Sequence, residues 1–101
     1  MKRRFVIFVD SISSTNEEAF IEYMKDRDCS WWHWIANCWL VVDYSGKVSS
    51  KDLRDVIMRN SPLANSLVLE VPKGGSWHGL GPATKERRNM FRWLAEIWSD
   101  E

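Results

Sequence analysis

The chain has 101 residues with 14 basic and 14 acidic side chains, so its formal net charge is zero, which argues against a protein that coats nucleic acid through bulk charge. No stretch approaches the roughly 20 apolar residues of a membrane span. Two cysteines and no recognisable export signal predict a reduced, cytoplasmic protein, and the 45% apolar fraction predicts one domain over 1–101.

The first predicted elements are a strand and a helix. Residues 5–9 are a continuous β-favouring run, which is typical of a central strand covered on both faces or nearly so. Thr15 and Glu18 have the T-x-x-E spacing of a capping box. We therefore predict that a helix begins at Thr15 and ends among the charged residues 25–28.

The middle of the chain predicts a strand pair and a second helix. Residues 31–44 are strand-like but too long for one average strand, so we predict a tight turn near residues 36–37. Ser49 or Ser50 is placed to cap the next helix. The proline-containing segment 60–62 should end it.

The last third predicts a strand, a loop and a helix. Residues 67–71 are strand-like, and residues 72–82 hold four of the five glycines, which indicates an irregular loop. Thr84 is placed to cap the last helix. Its predicted apolar face is formed by Met90, Phe91, Trp93, Leu94, Ile97 and Trp98.

The predicted order is strand, helix, strand pair, helix, strand and helix. Two helices on one face of an antiparallel sheet would bury these apolar stripes economically. The order therefore favours an α+β fold, a ferredoxin-like sandwich of the βαββαβ type with an additional C-terminal helix. A flavodoxin-like parallel sheet would need more strands and more residues.

Segment 30–41 reads SWWHWIANCWLV and resembles the signature of a group of small bacterial and phage proteins called SinR-like. The segment 8–10 is similar to that group's first strand, which ends in aspartate. Later similarities follow in the same order along the chain, at residues 50–57, at residues 67–71, at Trp77 and at residues 93–94. The group is similar in fold to the small CRISPR-associated nuclease-like proteins and to virulence-associated protein D, so the resemblance implies a ferredoxin-like homodimer.

Asp10 is the candidate catalytic and metal-binding residue that the resemblance implies. In the nuclease-like families an aspartate at the end of the first strand can hold a divalent metal at the dimer axis, so Mg²⁺ or Mn²⁺ is the implied cofactor. This chain departs from those families at Asn37 and Trp39, where they carry serine and phenylalanine. Taken alone, the residues favour a simpler role in which Asp10 caps the turn that follows it.

The cysteines and histidines offer two weaker hypotheses. Cys29, His33, Cys38 and His78 could supply zinc ligands, but the spacing C-x3-H-x4-C matches no compact zinc motif. A Cys29 nucleophile with a histidine base lacks an identifiable orienting group. We expect Cys38 to be a small core residue and His33 a partly buried aromatic.

Two candidate contact surfaces follow from the remaining residues. The last predicted helix has bases in its first half and acids at its end, opposite to what the helix dipole favours. A basic patch beside the loop could bind nucleic-acid phosphates or an acidic protein, or it could be an ordinary solvated helix face. The candidate binding residues are Trp77, His78, Lys85, Arg87, Arg88 and Arg92.

Seven tryptophans are more than a domain of this size is expected to bury, so some should lie at a partner contact. The candidate interface residues are Trp31, Trp32, Trp34 and Trp39, which would support a homodimer. The favoured hypothesis is a non-catalytic interaction or inhibitor protein encoded by a phage or mobile element. The alternative is a metal-dependent endonuclease or nucleic-acid-binding protein.

Overall fold

The structure is a computed structural model that describes residues 2–72, residue 78 and residues 90–99. Within these residues four strands form one sheet, and helices lie on both of its faces. The C-terminal helix, defined here as residues 90–98, is an α-helical turn that continues directly as a π-helical turn. The elements are β1 Arg3–Val9, α1 Ser14–Asp26, β2 Cys29–Ile35, β3 Cys38–Asp43, α2 Ser50–Asn60, β4 Ser66–Val71, α3 Met90–Trp93 and the π-helical turn Leu94–Trp98.

The sheet has the strand order β2-β3-β1-β4, and every neighbouring pair is antiparallel. Val6 of β1 lies opposite Leu40 of β3 on one side and Leu69 of β4 on the other. Strand β1 is therefore central, and β2 and β4 are the edges of the described sheet. These features confirm the predicted α+β class.

The hairpin between β2 and β3 confirms the predicted turn. Strand β2 ends at Ile35 and β3 begins at Cys38, so only Ala36 and Asn37 separate the strands. The pairing shifts register between Trp32 and Ile35, as at a β-bulge. The long apolar run is thus two strands joined by a two-residue turn.

The two long helices begin at serine caps. The Ser13 hydroxyl accepts a hydrogen bond from the Asn16 N–H at 3.2 Å, so α1 begins at Ser14 and the predicted start at Thr15 is wrong by one residue. Helix α2 begins after Ser49, which forms a reciprocal capping box with Asp52. Among the described helices, none is long and apolar enough to cross a membrane.

The main core lies between the sheet and helices α1 and α2. Alternate residues of β1 point into it, and the same side of β3 contributes Trp39 and Val41. The helices contribute apolar side chains at helical spacing, which is why both pack on this face. The buried members are Phe5, Ile7, Val9, Phe20, Met24, Cys29, Trp39, Val41, Val48, Leu53, Val56 and Ile57.

The C-terminal helix covers part of the opposite face of the sheet. Leu94 and Trp98 pack against Trp32 and Val42, with Trp93 and Ile97 beside them. This confirms four of the residues predicted for the apolar face. The side chains of Met90 and Phe91, and the predicted cap Thr84, lie outside the described residues.

Two cations of β1 and its N-terminal flank hold the end of the C-terminal helix. The Lys2 ammonium donates to the carbonyl of Ile97, and the Arg4 guanidinium donates to the carbonyl of Trp98. Carbonyls at the end of a helix carry partial negative charge, which favours cationic partners. The helix is therefore fastened to the sheet by polar contacts as well as by its tryptophans.

Candidate functional site

Asp10 lies at the end of β1, where it is exposed and clamps the chain that enters β4. Its Oδ1 accepts a hydrogen bond from the Asn65 N–H at 2.8 Å, and its Oδ2 accepts one from the Asn65 side-chain amide at 2.7 Å. The Asp10 N–H donates to the Asn65 carbonyl at 3.1 Å. The prediction that Asp10 caps the turn next to it named the wrong partner. The carboxylate bonds to Asn65, which lies 55 residues away along the chain.

The same carboxylate faces a groove of about 340 Å³ at this end of the sheet. Asn37 of the β2–β3 turn lines the groove too, and its carbonyl accepts a hydrogen bond from the Val9 N–H at 3.1 Å. Asn65 donates to the carboxyl, which holds the pKa of Asp10 below its ordinary value of 3.8. The lining residues are Phe8, Val9, Asp10, Asn37, Asn65, Ser66 and Leu67.

The groups around Asp10 decide whether its carboxylate could bind the metal that the family resemblance implies. Each carboxylate oxygen has two acceptor positions and Asn65 occupies one, so each oxygen could still reach a cation or its water shell. Mg²⁺ in proteins is held by one or two carboxylates together with water. Among the described residues, no group of three or more His, Cys, Asp or Glu side chains could hold a metal. Among the described residues that line this groove, Asp10 is the one carboxylate, so water would complete the coordination of a bound ion.

Removing the Asp10 carboxylate should lower thermal stability more than removing the Asn65 side chain, because only one of the two bonds comes from that side chain. Asp10→Ala removes both carboxylate bonds and Asn65→Ala only the bond from the side-chain amide, so both should lower the melting temperature at pH 7, and the double variant should fall little below Asp10→Ala. The folded-state pKa is lowered, so this stability is present above the ordinary value and is lost as pH falls through the folded pKa. Thermal melts across pH 2–7 measure these losses, with Asp26→Ala as the control variant. If the losses of the two single variants simply added in the double variant, Asp10 and Asn65 would not stabilise the fold through a shared contact.

His33 forms a stack with Trp39, as its predicted aromatic role requires. The two rings are parallel within 8° and their centroids lie 3.7 Å apart. The His33 Nδ1 lies 3.0 Å from the Cys38 carbonyl, and since a carbonyl only accepts, Nδ1 carries the hydrogen. The His33 Nε2 lies 3.7 Å from a carboxylate oxygen of Glu17. These contacts explain the histidine without a metal or a substrate.

Neither cysteine is placed as a nucleophile. Cys29 is buried, and that burial, with the Asp43 charge nearby, raises the pKa of its thiol to about 11. Its sulfur lies 4.0 Å from Asp43 Oδ1 and 3.9 Å from the Arg27 carbonyl, with no histidine as partner. Cys38 is half-buried rather than a core residue, and burial raises the pKa of its thiol as well. The high pKa values leave little thiolate at neutral pH.

The predicted tryptophan interface is corrected for two of its four members. Trp39 is 0% exposed in the main core, and Trp32 is buried beneath the C-terminal helix. Trp31 is half-buried against the main core, and Trp34 is half-buried against the second cluster. Trp32 is buried because the C-terminal helix supplies a second apolar layer on that face of the sheet.

Only part of the predicted basic patch lies among the described residues. Trp77, Lys85, Arg87 and Arg88 lie outside the described residues, and His78 is exposed. Arg92 is exposed, and its Nε lies 3.1 Å from Glu96 Oε1, one helical turn away. This ion pair offsets the Arg92 charge within the helix.

Sequence reasoning missed an exposed apolar strip on the face that the C-terminal helix covers only in part. Phe8 of β1 is 45% exposed, and Leu67 and Leu69 of β4 are 54% and 47% exposed. Phe8 lies opposite Leu67, and Leu69 lies opposite Val6, so all share that face. We call these three residues the β1–β4 strip. For Phe8 the signal was the continuous apolar run of residues 5–9, which predicted a strand covered on both faces or nearly so; for residues 67–71 the sequence analysis predicted a strand and not its burial.

Comparisons with known proteins were made by family model, by curated sequence and by solved structure. No family model matches this chain, and no curated protein and no solved structure matches it either. The contacts within this chain are therefore the basis for proposals about its function.

Proposed function

We propose that the protein is a non-catalytic interaction protein on a ferredoxin-like scaffold, which pairs with a second copy of itself through strand β4. The sheet order β2-β3-β1-β4 with α1 and α2 on one face is the arrangement that supports the ferredoxin-like assignment. The C-terminal helix is then an addition on the other face. The similarity of segment 30–41 to SinR-like proteins is a further, weaker support.

The β1–β4 strip is the observation that carries this proposal. Among the described residues, β4 pairs only with β1, so its outer edge presents unpaired backbone groups. An edge strand of this kind is a template for a further strand. Two identical strands can pair antiparallel about a two-fold axis, each supplying the same surface. Leu67 and Leu69 of one copy would then meet their equivalents beside the paired edge.

The Asp10 clamp supports a non-catalytic role. Both carboxylate oxygens already accept hydrogen bonds from Asn65, which ties the end of β1 to the start of β4. The clamp therefore fixes the edge strand that the proposed contact uses. A structural carboxylate explains Asp10 without any reaction.

Charged substitutions in the β1–β4 strip should abolish self-association. Leu67→Lys and Leu69→Lys would each bury an unpaired ammonium in the paired edge, so both should sediment as monomers where the original chain sediments as a dimer. Leu63→Lys is the matched control, because Leu63 is 98% exposed in the turn before β4. Sedimentation velocity measures this, with thermal melts to show intact folding. A monomeric original chain, or equal effects of all three substitutions, would contradict the proposal.

A metal-dependent nuclease is the second candidate. The observation in its favour is that Asp10 and Asn37 line one groove at the end of the central strand. The test is cleavage of short RNA and DNA at low salt with Mg²⁺ or Mn²⁺. A nuclease should lose cleavage in Asp10→Ala and retain it in Asn65→Ala, which removes only the side-chain bond of the clamp and keeps the carboxylate. Absence of cleavage by the original chain would exclude this candidate for these substrates.

A further inference from the structure

A second groove, of about 410 Å³, lies away from the Asp10 groove and shares no lining residue with it. It is bounded by the end of α1, the loop that follows β3 and the first turn of α2. Its volume is within the roughly 300–1,000 Å³ typical of small-molecule sites. The lining residues are Tyr23, Arg27, Ser45, Lys47, Val48 and Asp52.

Two cations of this groove have no ion-pair partner among the described residues. Arg27 and Lys47 both line it, and no described carboxylate lies within ion-pair distance of either. Lys51 and Arg54 on α2 show the contrast, since both pair with Asp55, at 2.7 and 2.9 Å. The charges of Arg27 and Lys47 are therefore available to an anion.

The Arg27 guanidinium is held in place before any ligand arrives. Its central carbon lies 3.8 Å from the centroid of the Tyr23 ring, a cation–π contact. Burial raises the pKa of the Tyr23 phenol, so at neutral pH the phenol keeps its hydrogen and can donate it. The groove thus combines a positioned planar cation with a neutral hydroxyl donor.

The loop that carries Lys47 is also ordered by its own contacts. Buried Asp43 accepts hydrogen bonds from the N–H and hydroxyl of Ser45 and from the N–H of Val48. The Lys47 N–H donates to the Ser45 hydroxyl at 3.1 Å, and Gly46 takes the positive φ of 73° that the turn requires. Lys47 therefore extends from a fixed backbone.

We propose that this groove binds a phosphate group carried by a nucleotide or a nucleic acid. Arg27 supplies a forked donor, Lys47 a point charge and Tyr23 a hydroxyl, which suits a tetrahedral oxyanion better than a two-oxygen carboxylate. With Asp52 as the one acid, the lining carries two positive charges and one negative, a net charge of +1. This positive balance favours a phosphodiester, which carries one negative charge, or a monoester, which carries between one and two at neutral pH. The proposal does not rest on the β4 contact.

The test is titration of the ¹⁵N-labelled full chain with three probes: inorganic phosphate, adenosine monophosphate and a short single-stranded oligonucleotide. The amide signals of Ser45, Lys47 and Val48 should shift in a saturable way. Arg27→Gln and Lys47→Gln should each weaken binding roughly three- to tenfold, as loss of one charge-assisted contact predicts. Lys25→Gln, an exposed cation of α1 outside the groove, should leave affinity unchanged.

The three probes separate the sources of the phosphate. Tighter binding of the oligonucleotide than of the monophosphate supports a nucleic-acid ligand, and equal affinity supports a nucleotide. Removing the opposing acid in Asp52→Asn should tighten binding of either. No saturable shift with any probe, or equal weakening by Lys25→Gln, would overturn the proposal.

Discussion

Asp43→Ala should lower the free energy of unfolding by about 3 kcal/mol, because it leaves the buried Val48 N–H and the two donors of Ser45 without their acceptor. Asp43 is completely buried at the end of β3. Its Oδ1 accepts from the Ser45 N–H at 3.0 Å and from the Ser45 hydroxyl at 2.8 Å, and its Oδ2 accepts from the Val48 N–H at 2.8 Å. These bonds shape the whole connection between β3 and α2.

Urea denaturation followed by tryptophan fluorescence measures this loss. Asp43→Asn keeps the shape and one acceptor oxygen, so it should lose less than the alanine variant. Asp26→Ala, an exposed carboxylate at the end of α1, should change little. If Asp43→Ala proved as stable as Asp26→Ala, the carboxylate would not organise this loop. Asp43→Ala should also weaken phosphate binding, because Lys47 loses its fixed backbone.

Trp39→Ala should be the other severe change, costing roughly 3–5 kcal/mol as large-to-small core substitutions do. Trp39 is stacked on His33, and the Phe20 ring meets its edge with centroids 5.2 Å apart. The side chain thus joins α1, β2 and β3 at one point. Its removal leaves a cavity bounded by rigid rings, which cannot collapse easily.

Comparing Trp39→Phe with Trp39→Ala separates the packing of the aromatic ring from the polarity of the indole N–H. Among the described residues, the buried Trp39 Nε1 has no hydrogen-bond partner. Phenylalanine therefore removes an unsatisfied donor along with part of the ring, and we expect it to cost much less than alanine. The two variants are compared by urea denaturation followed by far-ultraviolet circular dichroism. Equal losses of stability in the two variants would contradict this expectation and would mean that the indole N–H itself stabilises the fold.

Local signals in the sequence were sufficient for most of the described elements. The hairpin turn at residues 36–37 follows from the length of one apolar run, and the end of α2 at Asn60 follows from the nearby Pro62. The start of α1 was misplaced because Thr15 and Glu18 imitate a capping box, whereas Ser13 makes the bond. Several neighbouring hydroxyl side chains could cap this helix, and residue spacing alone does not show which of them accepts the hydrogen bond.

The candidate sites depend on contacts that no local pattern contains. Asp10 was singled out from the sequence, but its partner Asn65 is brought to it only by the pairing of β1 with β4. The burial of Trp32 depends on the C-terminal helix crossing the second face of the sheet. The convergence of Arg27 with Lys47 likewise requires α1 to end beside the loop after β3.

Hydrogen exchange of β4 at low and high protein concentration tests the proposed self-association most directly. Pairing of two β4 edges would give their outward amides a hydrogen-bond acceptor, so exchange at residues 66–71 should slow as concentration rises. Exchange at β2, the other edge of the described sheet, should stay the same and serves as the internal control. Exchange at β4 that is independent of concentration would contradict a contact through this strand.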